Sequence, residues 1–118
     1  MADSKMLEAA KDFAVETVKV CGIISDERHE YVLTKQLIKS GTSIGANIHE
    51  SKYAQGTADF ISKMQIALKE CYETEYWLEL LNRTDYIQNE KYNKLRNDCG
   101  AIRRMLIASI NTVKKNAR

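Results

Sequence analysis

The sequence predicts an all-α fold, an antiparallel up-down-up-down four-helix bundle formed by residues 1–118 as a single domain. Three observations carry that expectation. There is no proline and there are only five glycines in 118 residues, so little interrupts a long helix. Four stretches repeat apolar residues at steps of three or four, and none shows the strict alternation of a strand. The polar connections between them are short, which makes consecutive helices antiparallel neighbours. A chain of this length buries one core rather than two.

The first helix is expected to start after Asp3 or Ser4, either of which can accept hydrogen bonds from free N–H groups of a first turn. Its apolar stripe reads Leu7, Ala10, Ala14, Val18, Cys21 and Ile24. Ser25 to Glu30 interrupts the pattern. Tyr31, Leu33, Leu37, Ile38, Ile44 and Ile48 then carry a second helix to about residue 52. Gln55-Gly56-Thr57 reads as helix exit, turn and new cap, with Asp59 near the positive end of the third helix. That helix is the most hydrophobic, with Phe60, Met64, Ala67, Leu68, Cys71, Leu78 and Leu81 on one side and Ile61, Tyr72, Tyr76, Trp77 and Leu80 widening the face. Asn82 to Asn89 is a polar connector. Tyr92, Leu95, Cys99, Ile102, Leu106 and Ile110 form the fourth stripe, which Gly100 weakens by about 1 kcal/mol relative to alanine.

The second helix is unusual in its small and polar residues. Gly41 and Gly45 lie one turn apart beside Ser40, Ser43 and Ala46, and two interior glycines cost roughly 2 kcal/mol relative to alanine. Close packing against another helix offsets such a cost. The glycines do not make a phosphate loop, because the GK[ST] ending is missing, nor a dinucleotide fingerprint, because the GxGxxG spacing is missing. Asn47 and Glu50 on the second helix, and Glu70 and Glu73 on the third, are each a turn apart, with Trp77 continuing that side. Together with Ser43 they are expected to form a structural polar cluster that fixes register within a protomer or between protomers. A carboxylate-bridged metal site is the remote alternative. It lacks the Glu-x-x-His half of its signature, since neither His29 nor His49 follows a glutamate by three residues. Cys71 and His49 offer a nucleophile and a base without an orienting group, and no catalytic residue, cofactor or metal is expected.

The net charge of +2 is unevenly spread. Residues 88–118 carry eight Lys or Arg against two Asp or Glu, while residues 56–87 carry three against six. Lys91, Lys94, Arg103, Arg104, Lys114 and Lys115 are therefore candidates for phosphate contact, with Arg96 and Arg118 on the same basic segment. The same side chains could instead lie beside acidic helices of their own or a neighbouring subunit. Cys21, Cys71 and Cys99 are odd in number and lack a CxxC spacing, which fits reduced core thiols. No membrane span or signal peptide is read, and the expected location is the cytoplasm.

Three segments resemble a known family. They are Ser40-Gly41-Thr42-Ser43-Ile44-Gly45-Ala46-Asn47-Ile48-x-Glu50, then Ala58-Asp59-Phe60-Ile61-x-Lys63-Met64-x-Ile66-Ala67-Leu68-Lys69-Glu70, then Glu73-Thr74-x-Tyr76-Trp77-Leu78-x-Leu80-Leu81. The combination is similar to the bacterial 23S rRNA-intervening-sequence proteins and covers about half the chain closely. His49 and Cys71 stand where that family more often has a charged residue and alanine. The resemblance implies a left-handed four-helix bundle that assembles into a homo-oligomer, with a pentamer favoured, and no established enzyme activity. It implies a scaffold whose partner could be structured RNA or a nucleic-acid-processing protein, since a diverged and more basic relative, the accessory protein of diversity-generating retroelements, binds nucleic acid and a reverse transcriptase. A protein-only adaptor is the alternative.

Overall fold

Without proline, each of the four stretches forms one unbroken helix. The computed structural model describes residues 4–116, in the order α1 (Ser4–Arg28), α2 (Val32–Ser51), α3 (Thr57–Arg83) and α4 (Asn89–Asn116). There is no strand among the described residues. Each helix packs on its neighbours in sequence, and α4 closes the ring against α1, while among the described residues no Cα atoms come within 8 Å of each other across either diagonal. The α1–α4 seam is the lightest, and a cleft of about 290 Å³ remains there over Ala9, Phe13 and Ala101. No described helix is long and apolar enough to cross a membrane.

The core is built from side chains that the four stripes bring inward, among them Met6, Leu37, Ile44, Ile48, Met64, Leu78, Leu81, Leu95, Ile102 and Leu106, all fully buried. Each such side chain contributes about 1.5–3 kcal/mol through removal of apolar surface from water. On α1 the buried series runs through Met6, Ala10, Phe13, Thr17, Val20 and Ile24, so the expected Val18 is corrected: it is 48% exposed. Two four-residue steps in succession, Ala10 to Ala14 to Val18, drift off the core face, which a 3.6-residue helix keeps only by mixing steps of three and four. Tyr31, Tyr72 and Tyr76 are likewise exposed rather than packed.

Local chemistry fixes the helix ends. The expected Asp3 cap lies outside the described residues. At α2 the capping group is Glu30, whose carboxylate accepts hydrogen bonds from the N–H groups of Val32 and Leu33 at 3.0 Å and of Thr34 at 2.9 Å. At α3 the cap position belongs to Gly56 rather than Thr57, and Asp59 reaches back to accept the Gln55 N–H at 3.1 Å. The C-terminus of α3 is a Schellman turn. Asp85 adopts φ 65°, its N–H donates to the Asn82 carbonyl at 3.1 Å, and the Tyr86 N–H donates to Leu81 at 2.8 Å. Arg28, at the end of α1, donates to the Asp85 carbonyl at 3.1 Å and lies 4.6 Å from the Tyr86 ring centre, tying the two connectors at that end of the bundle together.

Candidate interaction surfaces

The two glycines of α2 are buried against α1. A Cβ at Gly41 would lie 3.0 Å from the γ-methyl of Thr17, and one at Gly45 would lie 3.5 Å from the Cβ of Ala10. As the α2 number rises the α1 number falls, so these helices run antiparallel. On the other side of α2, the Thr74 hydroxyl donates to Ser40 Oγ at 2.9 Å, and Lys63 pairs with Glu50 at 3.3 Å. Helices α2 and α3 are therefore antiparallel as well.

The side chains expected to form a polar cluster share the outer α2–α3 face, but they bond mainly within their own helices. Ser43 donates to the Lys39 carbonyl at 2.6 Å, Asn47 donates to the Ser43 carbonyl at 2.8 Å, and the Trp77 indole donates to Glu73 at 3.4 Å. Glu50 is the member joined to the facing helix, through Lys63. Glu70 makes neither a hydrogen bond nor an ion pair with a described residue. Burial and then the neighbouring Glu73 push its carboxyl above the ordinary range, partly offset by Lys39 and Lys69. Ile66, 40% exposed, and Tyr76, 56% exposed and edge-on to Trp77, complete this face.

The fully buried polar link between α2 and α3 is Ser40–Thr74. Ser40 stood out in the sequence among the small polar residues of its helix. Thr74 sits on the apolar spacing between Cys71 and Leu78, which is the signal that could have found it.

Three of the six basic candidates on α4 are paired inside the protomer. Lys91 meets Glu16 of α1 at 3.5 Å, Lys94 meets Asp98 at 2.8 Å, and Arg103 Nε meets Glu75 of α3 at 2.9 Å. Arg104, Lys114 and Lys115 are exposed and have no ion pair with a described residue, as is also true of Arg96. Arg118 lies outside the described residues.

Chemistry of the nucleophilic or metal-binding kind finds no assembled site among the described residues. His49 stacks edge-on against Tyr53, with ring centres 5.5 Å apart, while Cys71 is buried and its carbonyl accepts the Cys99 thiol at 3.6 Å. Burial pushes the Cys21 thiol up to about 12, with Glu30 adding to the effect. Cys99 is raised as well, by its contact with Cys71 and then by burial. Thiols held neutral in this way are packing groups. No three His, Cys, Asp or Glu side chains converge as metal ligands among the described residues.

The family model described as 23S rRNA-intervening sequence protein matches residues 2–108. The chain belongs to that family. The intervening-sequence protein is also similar to a solved structure, a protein of unknown function from the S23 ribosomal protein family of Bacteroides thetaiotaomicron VPI-5482. The two are 49% identical, with a TM-score of 0.91, and the match covers 94% of this chain and 99% of that one. No curated protein matches. For an intervening-sequence protein, these comparisons establish family and fold, and they assign no biochemical role.

Proposed function

We propose that this intervening-sequence protein works without catalysis or cofactor, as a self-associating scaffold in the cytoplasm, a homo-oligomer with a pentamer as the favoured ring. The observation that carries this reading is the α2–α3 face. Exposed Ile66 and Tyr76 adjoin half-buried Trp77, beside two glutamates, of which Glu70 has no hydrogen bond or ion pair with a described residue and Glu73 accepts only the Trp77 indole among them. A surface that mixes large apolar side chains with unsatisfied acceptors suits a subunit contact. Light-scattering mass on a size-exclusion column tests it. The wild type is expected to elute as a salt-resistant multiple of 13.5 kDa, and Ile66→Arg with Tyr76→Arg is expected to give a helical monomer. A wild-type monomer sinks the reading, and an oligomer unaffected by the double variant moves the contact elsewhere.

A second reading adds phosphate contact by α4, as in binding to RNA, and it is favoured by Arg104, Lys114 and Lys115, which are exposed and have no ion pair with a described residue. The internal pairing of Lys91, Lys94 and Arg103 supports the competing adaptor reading, in which this helix serves protein contacts. Adding host RNA at low and at high salt separates them. A mass shift confined to low salt supports phosphate contact, and indifference to RNA supports the adaptor.

A further inference from the structure

The sequence pattern around Gly100 places two arginines one turn ahead, at Arg103 and Arg104, and long helical side chains lean back toward the N-terminus. Here they lean onto the glycine. A Cβ at Gly100 would lie 3.3 Å from Arg103 Nη2 and 3.4 Å from Arg104 Nη1, which puts the two nitrogens within about 7 Å of each other. Two guanidinium groups thus converge over Gly100, which lies buried beneath them. Their charges are incompletely compensated, because Glu75 binds Arg103 through Nε and Arg104 has no acidic partner among the described residues. Arg103 is also held from below, with its Cζ 5.6 Å from the Tyr72 ring centre, so one donor group is positioned before any ligand arrives.

We propose that Gly100, Arg103 and Arg104 form a binding site for a phosphate group on the α3–α4 face. A phosphate accepting one bond from each guanidinium at about 2.8 Å bridges the gap between them. It relieves the repulsion that Glu75 relieves on one side only. The missing side chain at position 100 lets both guanidinium groups lie close over the helix, where they bury Gly100, and the anion sits on their outer side. The proposal names the contact point of the phosphate reading above and rests on it, and the phosphate can come from an RNA strand or from a free phosphate compound.

The test is a titration of the full chain with inorganic phosphate, followed in a proton–nitrogen correlation spectrum at constant ionic strength against chloride. The Gly100 amide is expected to shift. Arg104→Ala is expected to weaken the apparent affinity about tenfold, as for loss of one charge-assisted contact, with Lys115→Ala changing it less than about twofold. Gly100→Ala alters no charge and asks only the flexible end of Arg103 to give by a few tenths of an ångström, so it is expected to change the affinity less than Arg104→Ala does. Loss of affinity that is equal in Arg104→Ala and Lys115→Ala, or the absence of any Gly100 shift, overturns the site. A parallel titration with oligouridylate separates the sources. Binding of phosphate alone keeps the site and assigns it to a free phosphate compound, whereas salt-sensitive oligouridylate binding that Arg104→Ala leaves intact overturns this site and leaves the RNA reading standing on Lys114 and Lys115.

Discussion

Gly41 packs directly on Thr17 where α2 meets α1, with the Thr17 γ-methyl only 3.0 Å from where a Gly41 Cβ would stand. Gly41→Ala gains about 1 kcal/mol in helix propensity but forces a stiff β-branched side chain to move, and overpacking of this kind costs about 1–3 kcal/mol. We expect a net loss of stability of up to about 2 kcal/mol in urea unfolding. Thr17→Ser, which removes the methyl, should restore most of it in the double variant. Equal losses in the single and double variants would show that the methyl is not the obstacle.

Thr17 carries a second consequence. Its hydroxyl is fully buried and has no hydrogen-bond partner. Leaving such a group unsatisfied costs about 1–3 kcal/mol, and valine has nearly the same shape. Thr17→Val is therefore expected to raise the unfolding midpoint at an unchanged m-value, corresponding to a gain of about 1 kcal/mol.

Glu30 couples the α2 cap to pH. Burial pushes its carboxyl up, but the N–H groups of Leu33, Thr34 and Val32 and the Thr34 hydroxyl outweigh that and hold it below the ordinary carboxylate range. With a folded pKa below the unfolded one, the cap's contribution is fully present above the unfolded value, about 4.3, and is lost as pH falls through the folded value. Glu30→Gln is expected to cost about 1 kcal/mol at neutral pH and to converge with the wild type in acid. Thermal melts from pH 7 downward check this, and a gap that persists in acid would assign the loss to packing.

Asp85 sits at φ 65°, the left-handed position of the Schellman turn after α3. Glycine occupies that conformation without the strain of a Cβ. Arg28 contacts the backbone carbonyl of Asp85, so the substitution leaves that bond in place. Asp85→Gly should stabilise the protein by about 0.5–1 kcal/mol in thermal melts. A loss would mean that the aspartate side chain supports the turn in some other way.

The helices and most of the core were legible because burial on a helix follows a single period. Leu37, Ile44, Ile48, Leu95, Cys99, Ile102 and Leu106 occupy the positions that spacing alone assigned. Val18 was misread because one apolar residue out of step looks like any other until the facing helix is known. Glu30 reads as linker because it does not adjoin the helix, yet its longer side chain reaches the first turn from further back. The outer polar residues Ser43, Asn47, Glu70 and Glu73 were legible as a group on one face. Their hydrogen bonds were not, since a side chain on a helix can turn to its own backbone as easily as to a neighbour. The pairing of Lys91 with Glu16 was hidden for a different reason: it depends on which helix closes the ring.

That closing order bears on how quickly the chain finds its fold. Helices that touch only their neighbours in sequence make mostly local contacts, and such topologies reach the native state in microseconds to milliseconds. The α1–α4 seam is the exception, because most of the chain separates Glu16 from Lys91 and bringing them together closes the longest loop. It is also the lightest seam and the one that keeps a cleft. Substitutions there should speed unfolding and leave the folding rate nearly unchanged, while those along α2 and α3 should slow folding.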